Sequence, residues 1–128
     1  MHKPVIDQIA GQIVDASIRV HRALGPGLLE SAYEACLAFE LRDRGLHVDQ
    51  QLALPIEYRG NRIEAGYRLD LVVQDAVVVE LKAVDALTPA HTAQLLTYLR
   101  LSEKRLGLLT NFNVELLKHG VKRVANNL

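Results

Sequence analysis

Cysteine is almost missing from this sequence, with Cys36 standing alone among 128 residues. An intramolecular disulfide is therefore excluded, as is a thiolate-bound metal cluster within one chain. A charge excess is missing too. Fifteen Lys and Arg balance fifteen Asp and Glu, for a formal net charge of zero. That argues against a chain-wide electrostatic grip on nucleic acid and leaves room only for a local basic groove. No apolar run is long enough to span a bilayer, because charged residues interrupt every candidate. The opening Met1-His2-Lys3-Pro4 lacks the apolar core of a signal peptide. A cytoplasmic protein with no membrane partner is the expectation. The five histidines are scattered without HExxH-like or Cys/His spacing, so a zinc site is not expected. Repeats, low-complexity tracts and linkers are also absent, which favours one domain over residues 1–128. What is present is apolar residue in quantity, 49% of the chain, enough to build a real core.

The pattern along the chain predicts an α/β order. Ile6, Ile9, Ile13, Ile18, Val20 and Leu24 fit a loose helical stripe, ended by Gly25-Pro26-Gly27. A second helix is expected from about Leu28 to Arg44, stopped by Gly45. Its Leu29, Ala32, Cys36 and Phe39 can share a buried stripe, while Glu30, Tyr33, Glu34 and Leu37 form another. Strands follow: His47 to Tyr58, a turn at Arg59-Gly60-Asn61, and a return from Arg62 to Val73 bent at Gly66. A turn at Gln74-Asp75-Ala76 leads into Val77 to Ala83, completing a three-stranded antiparallel meander. Thr88-Pro89 reads as N-cap and first position of a helix ending near Ser102. Arg105 to Thr110 is short and apolar, as a buried strand would be. The segments Val114–Leu117 and Val121–Val124 fit either a last hairpin or a short helix.

One charged group stands out. Glu80 and Lys82 flank Leu81 on a strand and so point to one face. If Gln74-Asp75-Ala76 is a three-residue loop, Val73 pairs with Val77 and Asp70 falls opposite Glu80. Their β-carbons would then lie about 4.5–5.5 Å apart. A two-residue loop would instead set Asp70 against Leu81. Facing like charges are destabilising, and a divalent cation bound to both removes the conflict. Hard oxygen ligands suit Mg2+ or Mn2+, which also accept phosphate oxygens. Lys82 can orient or deprotonate a water, or stabilise charge on a reacting phosphorus. Charged strand residues are usually only a solvated face. Here Val77-Val78-Val79 and Leu81 make the strand look buried, where an idle Glu and Lys are costly.

These residues resemble the PD-(D/E)XK nuclease superfamily, with Asp70 and Glu80-Leu81-Lys82 in its motif positions. Gly27-Leu28-Leu29-Glu30-Ser31-Ala32-Tyr33 resembles the signature of the bacterial GxxExxY family of nuclease-like proteins. Tyr67-Arg68-Leu69-Asp70, Gln94-Leu95-Leu96-Thr97-Tyr98 and Asn111-Phe112-Asn113 are similar to that family's later blocks. Leu69 stands where the superfamily name expects proline. The resemblance implies a restriction-endonuclease-like core (α-βββ-α-β) with an extra N-terminal helix and a mixed sheet flanked by helices. It implies Asp70 and Glu80 as metal ligands, Lys82 as the catalytic lysine, and Glu30 as an acid that binds or approaches the metal. Gln94 and Tyr98 resemble the Q-x-x-x-Y block of RecB-like nucleases, which contacts DNA or orients the site. Their i, i+4 spacing puts both on one helix face.

Plainer roles exist for the supporting residues. Glu30 suits the positive end of its helix, and Tyr33 and Tyr98 suit packing with a hydroxyl partner. His21 and Arg22 lie near the Gly25 break and can reach phosphate or simply solvent. Arg59, Arg62, Arg68, Lys104 and Arg105 could line a basic rim. The resulting expectation is Mg2+- or Mn2+-dependent phosphodiester hydrolysis, with DNA as substrate. The rivals are a catalytically inactive nuclease-fold module that binds nucleic acid or a protein, and an enzyme acting on another phosphate ester. A homodimer, or a partner that supplies DNA binding, would reconcile the short neutral chain with DNA binding.

Overall fold

The computed structural model describes all 128 residues. Pro4 in the first turn starts α1 (Lys3–Leu24), which buries Ile6, Ile9, Ala10, Ile13, Ala16 and Val20 along one stripe. Helix α2 spans Glu30–Asp43. Strands β1 (Val48–Ala53), β2 (Ile56–Tyr58), β3 (Asn61–Ile63), β4 (Arg68–Val73) and β5 (Val77–Lys82) follow. Then come α3 (Pro89–Ser102), β6 (Leu106–Asn111), a 3-10 turn at Leu117–His119 and β7 (Val121–Ala125).

The main sheet has the order β1-β4-β5-β6-β7. β5 pairs antiparallel with β4 and parallel with β6. A parallel pair needs a crossover, and α3 supplies it. Helices α1 and α2 cover one face, packing on Leu71, Val73, Val77, Val79, Leu81 and Leu108. Helix α3 covers the other through Leu95, Tyr98 and Leu99, against Val72, Val78 and Leu109. With both faces covered, β5 is apolar on successive residues rather than alternating. Each of its fully buried valines contributes roughly 1.5–3 kcal/mol of burial. The layering is the α/β arrangement expected, a mixed sheet flanked by helices. No helix is long and apolar enough to cross a membrane.

The departures have local causes. The expected strand His47–Tyr58 breaks at Leu54-Pro55, because Pro55 has no N–H with which to continue a ladder. The expected return Arg62–Val73 also divides, with Gly66 in left-handed backbone (φ 79°) between β3 and β4. A separate hairpin, β2–β3, is thus inserted between the first two strands of the meander. Helix α2 is rotated from the expected setting. Tyr33, Leu37, Ala38 and Leu41 are buried, whereas Leu29 and Phe39 are 78% and 72% exposed. Tyr33 sets this rotation by stacking on Phe112, with ring centroids 4.6 Å apart. At the C-terminal end both expected possibilities occur in part, a short helical turn followed by β7 pairing with β6.

Candidate functional site

The β4–β5 turn sets the geometry. Gln74 and Asp75 both take left-handed backbone, and the Ala76 N–H closes on the Val73 carbonyl at 3.0 Å. Val73 therefore pairs with Val77, Val72 with Val78 and Leu71 with Val79. The next pair in this register is Asp70 with Glu80, as the three-residue loop required. At that point main-chain pairing gives way to side chains. The Asp70 N–H donates to Glu80 Oε1 (3.1 Å), and the Leu81 N–H donates to Asp70 Oδ2 (2.9 Å). Each carboxylate is thus held by the other's strand.

The row extends one strand further. Gln50 pairs with Leu71 and Leu52 with Leu69, which sets Gln51 opposite Asp70. Gln51 sits in left-handed backbone (φ 51°), at a cost of about 1–2 kcal/mol for a residue with a side chain. Its amide donates to Asp70 Oδ1 (3.2 Å) and to Glu34 Oε1 (2.5 Å), tying β4 to α2. Glu34 Oε2 also accepts from the Gln50 amide (3.2 Å). Neither Gln51 nor Glu34 was singled out from the sequence. The inserted hairpin hides the β1–β4 register, and no local pattern reveals it.

Electrostatics mark the pair. Glu80 is buried, and that burial, followed by the charge of Asp70, pushes its carboxyl up to about 8. The hydrogen bond from the Asp70 N–H and the Lys82 cation pull the other way without winning. Lys82, two residues along and hence on the same face, is half-buried and joins none of the chain's ion pairs. It is a cation beside two acids without being consumed by a surface salt bridge.

The other resemblance blocks surround this row. Gly27, in positive-φ backbone (102°), ends the break before α2. The Tyr33 hydroxyl donates to the Gly25 carbonyl (2.5 Å) and accepts from the Leu28 N–H (3.1 Å). With that turn locked, Glu30 at the start of α2 reaches the far end of β5 and accepts from the Ala83 N–H at 3.3 Å. Asn111, at the end of β6 and fully buried, clasps the segment after Lys82. Its Oδ1 accepts from the Val84 N–H (3.1 Å), and its amide donates to the Val84 carbonyl (2.9 Å). The Phe112 N–H donates to the Lys82 carbonyl at 2.9 Å. These blocks therefore fasten the strand end that carries Glu80 and Lys82.

On the opposite helix, Thr88 caps α3 in a capping box with His91. Tyr98 of α3 belongs to the core cluster with Val72 and Val78, on the sheet face that also carries Asp70 and Glu80. Burial raises its pKa first, then the charges of Glu80, Tyr67 and Asp70. Gln94, one turn earlier, is exposed and lines a cleft with Tyr98.

Two expectations need correction. The five basic residues do not form one rim. Lys104 pairs with Asp75 (2.9 Å) at the turn end of β4–β5, and Arg105 binds the Asn127 and Met1 carbonyls. Both lie at the opposite end of the sheet from Asp70 and Glu80. Arg68, bonded to the Gln51 carbonyl at 3.2 Å, adjoins the row, whereas Arg62 pairs with Glu64 beside the β2–β3 hairpin (2.8 Å). His21 is not a free phosphate contact either, since it is buried and its Nε2 bonds the Val114 carbonyl at 2.7 Å.

No three Asp, Glu, His or Cys side chains converge closely enough to hold a metal, so Asp70, Glu80 and Glu30 are not a ready-made cage. Two adjoining carboxylates still fit a hard cation, which would displace the proton that burial and the Asp70 charge favour on Glu80. Mg2+ in particular keeps several waters and is usually bound by one or two carboxylates.

Comparison with curated proteins gave no significant match, and neither did comparison with solved structures. A family model of the PD-(D/E)XK nuclease superfamily matches residues 7–124, nearly the whole chain. The matched span takes in Glu30, the Asp70–Glu80 row, Lys82 and the Gln94–Tyr98 turn of α3. With this mixed sheet and this placement of its acids and lysine, the chain belongs to the PD-(D/E)XK nuclease superfamily.

Proposed function

We propose that the protein hydrolyses phosphodiester bonds in DNA with Mg2+ or Mn2+, and that it belongs to the GxxExxY branch through Gly27, Glu30 and Tyr33. One observation carries the reading: the Asp70 and Glu80 carboxylates adjoin across β4–β5, one pleat from Lys82. Asp70 and Glu80 would hold the cation, with Glu30 approaching from α2. When bound, the cation supplies Lewis acidity toward a phosphoryl oxygen and lowers the pKa of water. The Lys82 ammonium, set on the face of the two acids, orients the attacking water and stabilises negative charge gathering on the phosphorus oxygens. Gln51 and the Leu81 N–H fix the Asp70 carboxylate, so its orientation is set before substrate arrives. Gln94 and Tyr98 present an amide and a hydroxyl to the substrate strand from α3.

The test is cleavage of single- and double-stranded DNA and RNA with Mg2+ or Mn2+ by wild type, Asp70→Ala and Lys82→Ala. The wild type should cut DNA, and each variant should lose about 100-fold or more. Equal activity in all three would refute the assignment. Intact nucleic-acid binding without any cleavage would identify an inactive nuclease-fold module instead.

A further inference from the structure

We propose that the cleft between α3 and the root of the β2–β3 hairpin receives an unpaired nucleobase, making the protein selective for single-stranded or frayed DNA. The inference rests on the nuclease reading and names the form of substrate that the site takes. The cleft holds about 310 Å³. One wall is a single face of α3, with Gln94, Thr97, Tyr98 and Leu101 at i, i+3, i+4 and i+7. The other wall is Ile56 of β2 and Tyr67, three residues before Asp70. The Tyr67 and Tyr98 rings lie 5.9 Å apart and tilted by 58°, and Tyr67 is 44% exposed. The Tyr67 carbonyl accepts from the Leu54 N–H (2.9 Å), which anchors this wall to the main sheet.

The lining selects the ligand. No lysine or arginine contributes to it, so it is not built for phosphate. Aromatic and aliphatic walls suit a flat heterocycle, and the Gln94 amide and Thr97 hydroxyl suit its hydrogen-bonding edge. A base within a duplex is stacked and paired, and it cannot offer its face to a tyrosine. An unpaired one can. The location fits the chemistry, because Tyr98 lines the cleft and packs in the cluster of Val72 and Val78, each two residues from Asp70 or Glu80 on the same sheet face. A base seated here brings its own backbone toward the carboxylates. Net charge makes the same point. A chain with zero net charge has little phosphate attraction to draw on, and stacking affinity does not depend on charge.

The experiment is equilibrium binding, by fluorescence anisotropy in EDTA, of a labelled single-stranded DNA oligonucleotide and of the blunt duplex of the same sequence. Wild type, Tyr67→Ala, Tyr67→Phe and Ala93→Trp are compared. Ala93 is an exposed residue lining the cleft, so tryptophan there fills the cleft without touching the core. The wild type should prefer the single strand. Tyr67→Ala and Ala93→Trp should weaken that binding about 5- to 150-fold, the range that 1–3 kcal/mol of stacking represents, and Tyr67→Phe should retain it. Equal affinity for strand and duplex, wild-type binding by both disruptive variants, or no binding of either DNA would each overturn the proposal. Because the readout needs no metal, it separates the two readings. Cleavage together with cleft-independent binding removes the cleft alone. Strand-selective, cleft-dependent binding with no cleavage under Mg2+ or Mn2+ removes the catalytic reading alone.

Discussion

Replacing Glu80 by glutamine keeps the shape of the side chain and removes its proton equilibrium. Glutamine Oε1 can still accept from the Asp70 N–H, and its amide can donate to the Asp70 carboxylate, as a carboxyl proton does. In the wild type, burial and then the Asp70 charge move the Glu80 carboxyl from 4.5 to about 8 on folding. Between those values the unfolded chain has released this proton and the folded chain keeps it. The folded state binds more protons, so the Glu80 contribution falls as pH rises across the window. The slope is about 1.4 kcal/mol per pH unit, and the whole span amounts to roughly 4–5 kcal/mol. Glu80→Gln should therefore match the wild type near the acidic end and exceed it by several kcal/mol at pH 8. Urea denaturation at a series of pH values, in the presence of a chelator, measures the gap. With a typical urea dependence of about 1–3 kcal/mol per molar, the midpoints should separate by on the order of 1.5–4 M. Adding Mg2+ at pH 8 should narrow the gap, because the wild type gains from binding and the glutamine variant gains little. Parallel stability curves for the two proteins across the window would show that Glu80 is ionised throughout, and the charge conflict in the row would be refuted.

Gln51→Gly relieves left-handed backbone strain and removes the amide that joins Asp70 to Glu34. Unfolding free energy from urea denaturation should stay within about 1 kcal/mol of wild type, while cleavage falls roughly 10- to 100-fold, as for loss of an outer support of a proposed metal ligand. Tyr33→Phe frees the Gly25 carbonyl and strands the Leu28 N–H. Denaturation should show a loss of about 1–3 kcal/mol, and unchanged stability would mean that the hydroxyl does not hold the turn. A β-carbon at Gly107 would meet the Leu95 side chain at 2.9 Å, so Gly107→Ala should cost about 1–3 kcal/mol through overpacking. Combining it with Leu95→Ala should recover part of that loss in a double-mutant cycle, and strict additivity would place the strain elsewhere.

Much of the site was legible because its central geometry is short-range. The three-residue loop at Gln74-Asp75-Ala76 carries the register outward from Val73 and Val77, so counting alone puts Asp70 against Glu80. Thr88 and Pro89 likewise announce α3, since a cap and a first-turn proline act within one helical turn. The buried character of β5 could be read from its unbroken valines. The rotation of α2 could not. Its two candidate stripes are nearly equivalent in sequence, and the choice is made by Tyr33 stacking on Phe112, a residue 79 positions away. The same distance problem scattered the basic residues, because their separation depends on which end of the sheet each element occupies.

The row of Asp70, Glu80 and Lys82 was thus determined by sequence, through strand alternation and a hairpin count. Tertiary structure alone decided what surrounds it. Packing of α2 on the sheet brings Glu30 and Glu34 to the strand ends, and the β1–β4 pairing brings Gln51 to Asp70. α3 sets Tyr98 on the sheet face that carries the row and forms the cleft with Tyr67. Alternation and turn geometry are local properties of the chain. The meeting of helices with strands far away in sequence follows from burying both faces of one sheet at once, and only the folded chain satisfies that condition.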